Sequence, residues 1–196
     1  MTGRGAGAPP DRSAPAARVG SAFAIAFATL ALAACTTLQP AQPVGGDALS
    51  GRLALRVEAS GDAAAKAFSA AFDLRGDPSA GTLALSTPLG STLAQARWSP
   101  AEVVLATPQG TRRFANLDEL TRDALGESVP IEAWFDWLRG RPWPGAPSEP
   151  APELRAGFAQ LGWRVDLASF AADGLLNATR TAPPPTVTVR IRLDRS

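Results

Sequence analysis

From Leu49 onward the apolar residues of this chain return at every second position, and turn-forming residues cut each run short. A period of two, broken every few residues, marks short strands laid side by side in an antiparallel sheet. In "GRLALRVEA", Leu53, Leu55 and Val57 share one face while Arg52, Arg56 and Glu58 take the other. In "KAFSAAFDL" the shared face holds Phe68, Ala70, Phe72 and Leu74. "GTLALS" and "TLAQARW" follow around "STPLGST", then "EVVLA" and "TRRF" around "TPQG", giving six short strands in succession. "RAGFAQ" and "WRVDL" across a tight "LG", then "GLLNATR" and the strictly alternating "TVTVRIRL", resume the pattern at the carboxyl end.

Between these groups the period changes. Asn116 precedes "LDELTRDALG" with Glu119 three residues on, which reads as a capping box closed by Gly126. Leu117, Leu120, Ala124 and Leu125 form its apolar stripe. In "SVPIEAWFDWLRG" Pro130 suits a first helical turn and Gly140 a stop, with Ile131, Trp134, Phe135 and Leu138 at helical spacing. Residues 141–153, "RPWPGAPSEPAPE", read as a Pro-rich loop anchored by Trp143. These segments predict about ten strands and two helices.

The first 34 residues have a different character. A stretch carrying Arg4, Arg12 and Arg18 leads into "SAFAIAFATLALAAC", an apolar run shorter than the ~20 residues of a membrane-spanning helix. A basic region, an apolar region and small residues make an export signal. Cys35, the only cysteine of the 196 residues, closes "LAAC". A lone cysteine there is expected to carry the lipid of a lipoprotein, so residues 1–34 read as a signal peptide that is removed. Residues 35–48 read as a lipidated tether of Pro, Gly and Gln, and residues 49–196 as one domain. Without the leader, acidic residues outnumber basic ones by one, so no nucleic-acid footprint is present.

Catalytic chemistry is hard to place on this chain. It has no histidine, and its one cysteine is expected to be blocked. No Gly-rich phosphate loop occurs, and Asp118, Glu119, Asp123 and Glu127 read as the solvated face of a helix. No metal or other cofactor is expected, and the chain reads as a binding or transfer protein rather than an enzyme. A half-wrapped sheet covered by two amphipathic helices could hold an apolar ligand. Alternation and helix faces nominate Leu53, Leu55, Phe72, Leu74, Leu83, Leu85, Trp98, Trp134, Trp137, Leu138, Trp163 and Val165 for its walls. The same side chains would equally serve as a filled core. Leu89, at the tip of "STPLGST" where a polar residue is usual, either folds back on the sheet edge or projects.

Several segments together resemble the LolB family of outer-membrane lipoprotein receptors: "LAAC", "GRLALRV", "FSAAFDLRGDP", "STPLGST", "WLRGRPWPG" and "GWRVDL", in the family's order. "PLGST" after a strand is the most specific of them. The Pro-rich stretch 141–153 departs from the family pattern. The resemblance implies a mainly β fold with a few helices: an incomplete, half-open antiparallel barrel of about 10–11 strands with a helical lid over a hydrophobic cavity. It implies a monomeric receptor, lipid-anchored in the outer membrane and facing the periplasm. Such a receptor takes lipoprotein cargo from the periplasmic carrier LolA and inserts the acyl chains into outer-membrane lipid. Leu89 matches the family's membrane-inserting leucine. Thr36 after the cysteine, in place of an Asp, fits delivery to the outer membrane. Two other readings are a structural or assembly lipoprotein that binds a partner through its apolar face, and a lipoprotein holding some other lipid.

Overall fold

The computed structural model describes residues 47–194, and its longest feature is a hairpin. β1 (Asp47–Val57) and β2 (Lys66–Gly76) pair along their full length, Asp47 opposite Gly76 and Val57 opposite Lys66. β3 (Gly81–Ser86), β4 (Thr92–Trp98), β5 (Val103–Thr107) and β6 (Gly110–Phe114) continue the meander from β2 outward. After α1 (Leu117–Leu125) and α2 (Ile131–Trp137) come β7 (Ser148–Pro150), β8 (Gly157–Gln160) and β9 (Trp163–Asp166). A short α3 (Phe170–Asp173) leads to β10 (Leu175–Arg180) and β11 (Val187–Leu193). β11 then pairs with β1, Val187 opposite Val57.

The result is one eleven-stranded antiparallel sheet in the order β6-β5-β4-β3-β2-β1-β11-β10-β9-β8-β7. β6 and β7 are its edges and do not pair, so the sheet stays open. One face carries the core: Leu53, Leu55 and Val57 of β1, Phe72 and Leu74 of β2, and Val187, Val189 and Ile191 of β11 are all buried. The opposite face carries the exposed Arg52, Arg56, Arg190 and Arg192.

α1 forms where its caps demand. Asn116 Oδ1 accepts the Glu119 N–H at 2.8 Å, and Glu119 Oε2 accepts the Ala115 N–H at 2.7 Å. Gly126, at φ 84°, takes the left-handed conformation that ends the helix. Pro130 stands just before α2, at its N-cap position. Gly140, φ 74°, closes the turn beyond α2 by donating its N–H to Trp137 O.

Two elements correct the sequence reading. The Pro-rich segment 141–153 is not loop throughout, because Ser148–Pro150 pairs with β8 as an edge strand. Pro150 is tolerated there because an edge residue can lack an N–H on its outer side. α3 spans four residues, too few to leave a helical period. β1 also begins at Asp47, two residues before the alternation starts, since backbone pairing needs no apolar pattern. The leader, Cys35 and the tether up to residue 46 lie outside the described residues. Among the described residues no helix is long and apolar enough to cross a membrane.

Candidate functional site

The strand directions divide the sheet into two ends. The lower end is where β1 starts; the upper end bears the β3–β4 turn, the β5–β6 turn and the beginning of β2. A cleft of about 650 Å³ lies between the inner face of β1–β5 and the two helices α1 and α2, within the ordinary size range of ligand sites. Leu53 and Leu55 of β1, Leu83 and Leu85 of β3, and Ala94 and Ala96 of β4 line its sheet wall. Leu120 and Leu125 of α1 face them, with Ile131 and Trp134 of α2. The space exists because β4 turns alanines inward where other strands turn leucines and aromatics. Below, Trp98 meets Phe135 of α2 edge to face, with ring centroids 6.1 Å apart.

The upper rim of the cleft is polar at one side. Arg112 of β6 reaches Asp123 of α1 with both guanidinium nitrogens at 2.5 Å, and its cationic carbon sits 5.1 Å from the centre of the Phe114 ring. This fork joins the sheet edge to the helix beside the opening. The hydrogen bond to Asp123, chiefly, holds the Arg112 proton more tightly than usual.

Next to that opening stands the β3–β4 turn. Gly90 donates its N–H to Thr87 O at 2.9 Å, with Pro88 and Leu89 between them. Gly90 has φ 86°, the left-handed residue that completes a three-residue hairpin loop. Thr87 Oγ1 accepts the Ser91 N–H at 3.1 Å and secures the base of the loop. Leu89, at the tip, is 95% exposed. A β-bulge follows: Leu85 pairs with Ala94 but Ser86 pairs with Thr92, leaving Leu93 as the extra residue. Strict alternation would aim Leu93 at the outer face; instead it lines the cleft together with its neighbour Ala94.

Of the residues nominated from sequence, the structure gathers Leu53, Leu55, Leu83, Leu85 and Trp134 around this cleft. Phe72, Leu74, Trp98, Trp137, Leu138, Trp163 and Val165 do not line it; they are buried in packing. Phe72, Leu74 and Trp98 lie toward the lower end of their strands. Trp163 and Val165 belong to β9, on the other side of the sheet, where Trp137 packs against Trp163 and Phe158 at centroid distances of 6.4 and 6.3 Å. Sequence reasoning missed Phe68, Leu93, Ala94, Ala96, Leu105 and the α1 wall. Phe68 and the α1 stripe carried a signal in their spacing. The small Ala94 and Ala96 and the bulged Leu93 did not.

A smaller polar pocket of about 260 Å³ lies at the upper end between α1, α2 and β9–β10. There the buried Arg180 pairs with Glu127 and covers the Trp163 ring at 5.7 Å. Glu132, lining the same pocket, has its carboxyl pushed above the usual range, first by burial and then by the nearby charge of Asp118. Among the described residues no group of three or more His, Cys, Asp or Glu side chains could hold a metal ion.

A family model described as "Outer membrane lipoprotein LolB" matches residues 48–195. The chain is 35% identical over 180 residues to the outer-membrane lipoprotein LolB of Bordetella parapertussis, covering 87% of this chain and 90% of that protein. It is 33% identical over 162 residues to the protein of the same name from Bordetella petrii, covering 77% of this chain and 79% of the relative. With the Ralstonia nicotianae protein of that name it shares 40% identity over 96 residues, covering 47% of this chain and 46% of the relative.

Proposed function

The chain belongs to the LolB family, and from that premise we propose that it is an outer-membrane lipoprotein that accepts other lipoproteins by their acyl chains and inserts those chains into the membrane. Cys35 carries its own lipid anchor. Residues 1–34 are removed, and the domain faces the periplasm as a monomer tethered to the outer membrane. The carrier LolA delivers the cargo, and no covalent chemistry or cofactor takes part.

The single observation that carries this reading is the apolar cleft opening beside an exposed leucine. Acyl chains gain about 0.8 kcal/mol for each methylene removed from water. A lipoprotein crossing an aqueous space therefore needs an apolar enclosure, and the walls of Leu53, Leu55, Leu83 and Leu85 offer one without specific polar contacts. α1 and α2 act as its lid. Such walls hold a chain by area alone, which lets the bilayer, with more area to offer, take it away. Leu89 contributes only about 1.5–3 kcal/mol on burial. That is too little to anchor a protein and enough for a reversible touch that brings the cleft mouth to the lipid.

The test is transfer of an acylated lipoprotein from loaded carrier, using the chain from Thr36 onward, which contains every described strand, with liposomes present. The native domain and its Leu89→Glu variant both take cargo from the carrier, and only the native domain passes it on. If neither takes cargo, the receptor reading fails and a partner-binding lipoprotein replaces it. If both deliver equally, the receptor stands and the role of Leu89 falls.

A further inference from the structure

We infer that the whole upper end of the sheet is a bilayer-contact surface, with Leu161 as a second lipid-touching tip at the same end as Leu89. The inference rests on the membrane role of Leu89 proposed above. Leu161 and Gly162 form the two-residue turn between β8 and β9, Gln160 paired with Trp163 on either side. Both have positive φ, 54° and 77°. Glycine, asparagine or aspartate suits the first of those positions, while a leucine side chain is strained there. Leu161 is moreover 44% exposed. Leu161 borders the small polar pocket of Glu132 and Arg180, yet nearly half of it stays open to solvent, leaving apolar surface for a partner outside the protein.

Topology puts that partner at the same place as Leu89. β8 ends and β9 begins at the upper end, because Arg180, the last residue of β10, pairs with Val187, which pairs in turn with Val57 at the top of β1. From β3 to β9 are five strand spacings, roughly 24 Å along the sheet. The two leucine tips therefore stand apart along one end of the sheet rather than crowd one spot.

The upper end carries few charges. The connections that both leave and enter the upper end are residues 58–65, 87–91, 108–109, 126–130, 161–162 and 181–186. Their only charged side chains are Glu58, Asp62 and Glu127, and two of these are held by arginines, Glu58 by Arg56 and Glu127 by Arg180. The rest is Pro, Ala, Thr, Ser, Gly, Gln, Val and Leu, including "TPLGS" and "TAPPPT". The lower connections carry Asp77, Glu102, Glu153, Asp173 and Asp194 with Arg155, and there Glu102, Glu153 and Asp173 are held by Arg113, Arg164 and Arg192. The two ends thus differ little in charge; what sets the upper one apart is that the exposed large apolar side chains among the described residues, Leu89, Leu93 and Leu161, all stand there.

The span of chain before β1 fits as well. Residues 35–47 reach at most roughly 43 Å when fully drawn out. β1, which runs from the lower to the upper end, is about 36 Å long. An anchor at Cys35 can therefore sit in the same bilayer that the upper end touches, with little slack to spare.

The experiment uses the mature lipidated chain, reconstituted in phosphatidylethanolamine–phosphatidylglycerol vesicles. Leu89→Cys, Leu161→Cys and Ser79→Cys variants, the last on the lower β2–β3 turn, each carry an environment-sensitive fluorophore. Labels at 89 and 161 shift to the blue and are quenched by nitroxide lipids, while the label at 79 stays in water. A label at 161 that remains open to aqueous quencher while that at 89 enters lipid overturns the second tip and leaves the role of Leu89 intact. Both labels in water overturn the two readings together. Protection of 161 only after carrier is added makes it a carrier-docking residue and also overturns the inference. Leu161→Gly relieves the turn, so its melting temperature stays equal or rises while delivery to vesicles falls several-fold with cargo uptake unchanged. A lowered melting temperature, or undiminished delivery, would mean Leu161 serves packing alone or nothing, against the inference.

Discussion

The two halves of the sheet follow the same alternation and end differently. On the β8–β11 side, Phe158, Trp163, Val165, Leu176 and Ala178 share one buried core with Trp137 and Leu138 of the α2 region, with Trp137 packed on Phe158 and Trp163. On the β2–β5 side the inward positions include Phe68, Leu85 and Ala94, all partly exposed, and a cleft opens between them and α1. The difference is one of side-chain volume. Indoles and a phenyl ring fill the space under α2, while alanines on β4 leave space under α1. One side is a core that holds the fold, and the other is a surface kept free for a guest.

The sharpest way to break this contrast is to truncate one residue on each side. Trp137→Ala in the filled half costs about 3–5 kcal/mol of stability, read from chemical denaturation. Leu85→Ala in the hollow half costs less than about 2 kcal/mol, because empty space already borders it. Equal losses would show that the halves do not differ in kind. Gln160→Leu comes next. Gln160 is buried; its Oε1 accepts from Trp137 Nε1 at 2.7 Å and from the Trp143 N–H at 2.9 Å, and its Nε2 donates to Trp143 O and Ala146 O. Removing it costs about 1–3 kcal/mol for each buried group left without a partner. The loss appears as a lower denaturation midpoint with the slope unchanged.

Ala94→Trp sharpens the contrast from the other side. It fills the cleft, leaves stability within about 1 kcal/mol, and weakens binding of a fluorescent acyl probe at least tenfold, about 1.4 kcal/mol. The smallest effect lies in the polar pocket beside α2. Glu132 has a folded-state pKa above its unfolded value, so its stabilising contribution is complete below the unfolded value and is lost as pH rises through the folded one. Glu132→Gln is thus slightly more stable than the native chain at neutral pH. The gap narrows as pH falls toward the ordinary glutamate range, and a melting series from pH 7 to about pH 4 follows it.

Much of the fold was legible along the chain. The meander β1–β6, the caps of α1, the Gly140 stop and the closing alternation of β11 all came from local chemistry, since period and turn residues act within a few positions. β7 was hidden because prolines mark it as loop, and only its pairing with β8 makes it a strand. The cleft was half legible: Leu53, Leu55, Leu83, Leu85 and Trp134 were visible as inward residues. Phe72, Leu74, Trp163 and Val165 looked the same in sequence, yet they are packed away from it.

By itself, then, the sequence determined which residues face inward, where the helices begin and end, and that Leu89 stands at a turn between two strands. Those follow from side-chain polarity and backbone preference, which neighbours along the chain decide. Only the tertiary structure decided which inward faces are filled and which are hollow. It also brought Leu93 inward through a bulge, and put the Leu89 and Leu161 turns at one end. These depend on how many atoms from distant segments meet in one volume, a quantity no local stretch of sequence carries.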